Sequence, residues 1–122
     1  MTAFTPIAAV SLQYININWT GTLAGTEIDP TGLTEGQAQL PVLFAVPVSS
    51  GNPLAPAEPV TWYTAVWLLG TNIRGYIAQG LVGPAGEGGL VQLTAGVPVD
   101  VWSQIVGTPE QPKVYAGTQD VY

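Results

Sequence analysis

The chain has no cysteine and no histidine, and its only cations are Arg74 and Lys113. Without cysteine there is no disulfide, no thiol chemistry and no zinc ribbon. Without histidine the commonest general base and the commonest metal ligand are both missing, so Ser–His and Cys–His catalytic arrangements are excluded. Two separated cations cannot neutralise a row of phosphates, which removes the driving force for nucleic-acid binding. The same shortage argues against an anionic membrane surface as a partner. Charged residues make up 8% of the chain, against about 25% in an ordinary globular domain. The longest strongly apolar run, Ala65–Leu69, is far too short to span a bilayer. Met1 to Val10 has no cationic start and no long apolar stretch, so no signal peptide is expected. Together with the absence of cysteine, this predicts a protein folded in a cytoplasm.

What is present is apolar and β-prone. Of the 122 residues 47% are hydrophobic, with four Trp, five Tyr and two Phe, alongside 15 Gly and 11 Pro. Such a length reads as one domain. High Gly and Pro with little charge can signal disorder, but the aromatic and branched residues here are sufficient for a core.

Period-two alternation dominates. Leu40, Val42, Phe44, Val46 and Val48 share one face of a strand, and the prolines at 41 and 47 on its poorer face suggest a sheet edge, since neither can donate to a ladder. Ile15, Ile17 and Trp19 alternate with Asn16 and Asn18. Residues 61–69 have apolar side chains on both faces, with Trp62, Val66 and Leu68 taken as the core set, and pair as a hairpin with 73–82 across Gly70-Thr71-Asn72. After the turn cluster Gly83–Gly89 come a short strand at Leu90–Leu93 and a half-buried strand with Val97, Val99, Val101, Ser103 and Ile105 on one face. A last strand at 114–122 is expected to bend at Gly117. No window shows helical spacing for more than a turn. The pattern predicts an all-β fold, an immunoglobulin-like β-sandwich of about seven antiparallel strands. Residues 1–8 read as an extended N-terminal arm, and 9–122 as a single sandwich domain with a Pro-rich loop at 49–60.

Residues with chemical potential are few. Trp19, Trp62, Trp67 and Trp102 could stack sugars if exposed on a flat sheet, or could pack in the core and between subunits. Glu27, Asp29, Glu35, Glu58, Glu87, Asp100, Glu110 and Asp120 are read as solvated loop charges. Glu27 and Asp29 could share a Ca²⁺ through oxygen ligands, but no spacing resembles a calcium loop. A glycosidase would need two carboxylates about 5–10 Å apart in a cleft, and a small sandwich offers no obvious cleft. Gly83–Gly89 lacks the Lys of a phosphate-binding loop and reads as a turn. No catalytic residue, cofactor or metal is expected. Residues 1–13 carry no charged side chain, while Phe4, Ile7, Val10 and Leu12 are apolar. These four are the candidate protein-interaction residues, because an uncharged apolar segment gains most by docking in a hydrophobic groove or on a sheet edge.

Residues 62–112 carry a recognisable order. A Trp-rich strand is followed by Tyr76-Ile77-Ala78, Leu81-Val82-Gly83-Pro84 with a Gly-rich turn, and Val91-Gln92-Leu93. Gly96, Asp100-Val101-Trp102 and Thr108-Pro109-Glu110-Gln111-Pro112 come next. This resembles small immunoglobulin-like structural proteins encoded by bacteriophages of actinobacteria, and it departs from them at Val97-Pro98-Val99. The resemblance carries no catalytic residue. It implies a virion component that decorates or cements the capsid shell, made in the host cytoplasm, with the major capsid protein or other virion proteins as partners and self-association as a homo-oligomer. A tail or baseplate component, or a carbohydrate-binding sandwich contacting the host surface, is the alternative.

Overall fold

The computed structural model describes residues 5–20, 41–68, 75–106 and 113–122. Its strands are β1 (Gln13–Thr20), β2 (Val42–Ala45), β3 (Tyr63–Leu68), β4 (Gly75–Val82), β5 (Val99–Ile105) and β6 (Lys113–Gln119). They form one curled sheet in the order β1-β4-β3-β2-β5-β6, with every neighbouring pair antiparallel. The fold is all-β, with six antiparallel strands among the described residues. Leu90–Leu93 does not form a strand; it contributes one bridge, Val82 to Val91. The turn before it contains a single 3-10 turn at Ala85–Glu87.

The curl is made at β3. Its first half pairs with β2 (Val42↔Ala65, Phe44↔Tyr63) and its second half with β4 (Val66↔Gln79, Leu68↔Ile77). Strands β2 and β4 are next-but-one in the order, yet the fully buried Phe44 ring lies against the backbone of Gly80 on β4. A Cβ there would sit 2.6 Å from the ring. Any side chain at position 80 would therefore collide with the largest side chain of the core. Ile15, Ile17, Val42, Ala78, Val82, Val99, Val101 and Ile105 complete the interior around this contact.

The alternation places most of these residues as expected, but it fails on β3. Trp62 is only half-buried and Val66 is 49% exposed; the inward set is Tyr63, Ala65 and Trp67, which pack against the core. Both faces of 61–69 are apolar, so periodicity cannot select one. Pairing does select one: directly opposed residues of antiparallel strands share a face, and Ala65 and Tyr63 stand opposite the inward Val42 and Phe44. Leu40 and the Leu68 side chain lie outside the described residues.

Strand β2 is central rather than an edge. Pro41 and Pro47 bracket the strand instead of interrupting it. A proline lacks the donor but keeps the carbonyl, and here the carbonyls are used. Pro41 accepts from Val106 N–H at 2.9 Å, Pro47 from Asp100 N–H at 2.9 Å and Pro98 from Ser49 N–H at 2.9 Å.

The expected arm is described from Thr5 onward, where it runs beside the C-terminus. Ile7 N–H donates to Asp120 C=O (3.1 Å), Tyr122 N–H to Ile7 C=O (2.9 Å) and Ala9 N–H to Tyr122 C=O (2.8 Å). The buried Gln119 adds a side-chain bond from Nε2 to Thr5 C=O at 2.7 Å.

Candidate interaction surface

Strand β5 was expected to be half-buried, with Asp100 as a solvated charge. Instead both of its faces are covered, and Asp100 is 1% exposed. The cover on the outer face is the Pro-rich loop 49–60. Oδ2 of Asp100 accepts the backbone N–H of Ala57 (2.9 Å) and of Ser50 (3.2 Å). Oδ1 accepts Thr118 Oγ1 at 3.0 Å, with the Tyr115 hydroxyl farther off at 3.4 Å. Next to it, Trp102 Nε1 donates to Ala57 C=O at 2.9 Å. A loop with three prolines has few backbone donors, and two of those it has converge on one carboxylate.

A bulge in β6 makes this arrangement possible. The β5–β6 register shifts between Val101 and Trp102, so that Val101 faces Gly117 and Trp102 faces Tyr115. Gly117 has φ 125°, a conformation glycine adopts without steric cost. In a regular strand residues three apart point to opposite faces. The extra residue brings Tyr115 and Thr118 to the same side, where their hydroxyls meet at 3.0 Å and Tyr115 packs on the Trp102 ring at 5.5 Å between centroids.

Burial by itself would raise the Asp100 carboxyl. The backbone bonds from Ala57 and Ser50, with the hydroxyls of Ser49 and Thr118, outweigh it and hold the group below its ordinary value. Its donors are neutral groups. It is a structural anchor, and among the described residues nothing around it resembles an acid–base pair. Among the described residues no three potential metal-ligating side chains lie together.

Above the anchor, the loop holds its own tip. Asn52 Oδ1 accepts Leu54 N–H (3.0 Å), Asn52 C=O accepts Ala55 N–H (3.0 Å), and Ser50 Oγ donates to Ala55 C=O (2.8 Å). The Leu54 side chain is left 93% exposed. At the loop's root is a shallow cleft of about 280 Å³ whose walls include Val46, Val48, Val60, Tyr63 and Val91.

Of the four residues proposed from sequence for protein contact, Phe4 lies outside the described residues. Ile7 is half-buried and packs on the core. Val10 and Leu12 are exposed, Val10 at 79%. They are followed by the outward-facing Tyr14, Asn16 and Asn18 of β1. The structure thus separates Ile7 from Val10 and Leu12, and it adds Leu54, which sequence reasoning missed. Trp62, Trp67 and Trp102 are half-buried. Glu27, Asp29, Glu35, Arg74, Glu110 and the Trp19 side chain lie outside the described residues. Comparison with protein-family models, with curated proteins and with solved structures found no match.

Proposed function

We propose that the protein is a non-enzymatic structural component of a bacteriophage virion that decorates or cements the capsid shell through protein–protein contacts. On this reading it is made in the host cytoplasm and carried on the particle, with the major capsid protein as its main partner. The observation that carries the reading is Leu54, an almost fully exposed leucine on a loop whose backbone is fixed by Asp100, Ser50 and Asn52. A rigid apolar tip loses little entropy when it docks, so more of its burial appears as affinity. Val10 and Leu12 supply a second apolar contact on a chain with net charge −6.

The fold assignment that goes with this reading is an immunoglobulin-like sandwich. It is supported by the change of partner along β3, by Phe44 lying across onto Gly80, and by the parallel bridge between Ile7 and Val121 at the chain ends. A carbohydrate-binding role is less well supported, because the Trp102 indole N–H is already bonded to Ala57 and its ring packs against the tilted ring of Tyr115. The test is cryo-electron microscopy of virions purified from the lysate in which the chain is made, with wild type and Leu54→Asp. Ordered density on the capsid shell that is lost in the variant is expected. Density on the tail, or none on the particle, would overturn the capsid assignment.

A further inference from the structure

Among the described residues the sheet ends in two outer strands, β1 and β6, and their outer edges are built differently. A free edge exposes a row of backbone donors and acceptors. Proteins that must stay monomeric blunt such edges with lysine, proline, bulges or a covering segment. Strand β6 has three of these devices: exposed Lys113 at its start, the bulge at Gly117, and residues 5–7 bonded across its far end. Strand β1 has none. Its eight residues, Gln13–Thr20, contain no proline and no charge, and they pair with β4 in one unbroken register. Among the described residues no strand pairs with its other side. Its outward side chains are Tyr14, Asn16 and Asn18, with Tyr14 49% exposed.

We propose that the free edge of β1 pairs antiparallel with the β1 edge of a second copy about a two-fold axis, joining two sheets into one. Charge selects a second copy as the occupant. Two chains of net charge −6 repel each other, but residues 1–26 carry no charged side chain, so two copies pairing along β1 bring no carboxylate of that strand against another. The strand is also self-complementary. In the register centred on Ile17, Asn16 of one copy stands opposite Asn18 of the other, and in the register centred on Asn16 the two Asn16 residues meet. Amide side chains can both donate and accept, so either arrangement is satisfied. An interface of one strand is small, so the dimer is a reversible one. This gives the self-association that the resemblance implies a definite surface, but it does not depend on the virion assignment.

The experiment is sedimentation equilibrium of the purified protein over a wide concentration range. Its variants are Asn16→Lys/Asn18→Lys and Asn16→Glu/Asn18→Glu, with Asn18→Lys alone as a third that keeps the Asn16–Gln79 bond. Like charges directly opposed across antiparallel strands are destabilising. Wild type is expected to form a dimer. Each double variant should raise the dissociation constant at least tenfold with an unchanged melting curve, and an equimolar mixture of the two should dimerise again. A wild type that stays monomeric at the highest concentration, or a dimer that none of the variants weakens, overturns the proposal. A monomer whose β1 amides are protected only by an added capsid protein would overturn the second copy in favour of that partner. A dimer that is absent from virions would overturn the virion reading and leave this one standing.

Discussion

Strands β1 and β5 line the same core but face outward under opposite conditions. The inner side of β5 carries Val99, Val101 and Ile105, and that of β1 carries Ile15 and Ile17, all buried. Beyond the sheet, β5 is roofed by loop 49–60, and its one outward charge is saturated by donors from that loop and from β6. On the outer side of β1, Gln79 donates to Asn16 in an exposed hydrogen bond of 3.1 Å, and no loop among the described residues covers the strand as loop 49–60 covers β5. Among the described residues the β5 half of the sheet is covered by the chain itself, and the β1 half is the edge proposed above to take a partner. The burial of Asp100 has a structural account. Here the carboxylate supplies the acceptors that a proline-rich segment needs in order to lie flat on a sheet.

The largest expected effect is common to both halves. Phe44→Ala removes the ring that spans them and should cost about 3–5 kcal/mol, seen in urea unfolding as one transition shifted as a whole. Two separate transitions would mean that the halves do not share a core. Next comes Asp100→Ala, which strands the Ser50 and Ala57 donors and should cost about 2–4 kcal/mol. If it costs no more than Asn16→Ala, the roof is not held as described. Gly80→Ala should cost about 1–3 kcal/mol through overpacking against Phe44, measured the same way. Asn16→Ala, on the open half, should stay within about 0.5 kcal/mol of wild type.

Acid gives a further separation of the two halves. The Asp100 carboxyl is held below its unfolded value of about 3.9. A depressed folded pKa contributes stability that is present above the unfolded value and is lost as pH falls through the folded one. Wild type should therefore lose stability below about pH 4, with the loop released first. Asp100→Asn should begin less stable and show less of this dependence in acid melts.

Much of the all-β character was legible, because alternation fixes the face wherever only one side is apolar. Ile15 and Ile17 on β1 and Val99, Val101 and Ile105 on β5 follow directly. Two kinds of information were not available from alternation. One was the face of β3, where Tyr63 and Trp67 compete with Trp62 and Val66 and only pairing decides. The other was any contact between distant segments. The tie between Asp100 and residues 50 and 57 joins positions over forty residues apart, and no local pattern announces it. The prolines at 41 and 47 misled for a physical reason: their missing N–H marks an edge only if it is not compensated, and their carbonyls serve the β5 side of the ladder. For the proposed interaction surface, the uncharged residues 1–13 pointed to Phe4, Ile7, Val10 and Leu12, of which Val10 and Leu12 are exposed. Leu54 gave no signal, since a leucine among prolines looks the same whether its loop is loose or fixed.

Amide hydrogen exchange followed residue by residue by NMR at neutral pH tests the account most directly. The N–H groups of Ser50 and Ala57 sit in an irregular loop and would ordinarily exchange quickly. Bonded to a buried carboxylate, they should be protected to the level of the β5 amides of Val101 and Ser103, and that protection should vanish in Asp100→Ala while the β1–β4 amides keep theirs. Exchange of Ser50 and Ala57 at the rate of an unstructured loop in the wild type would contradict the account.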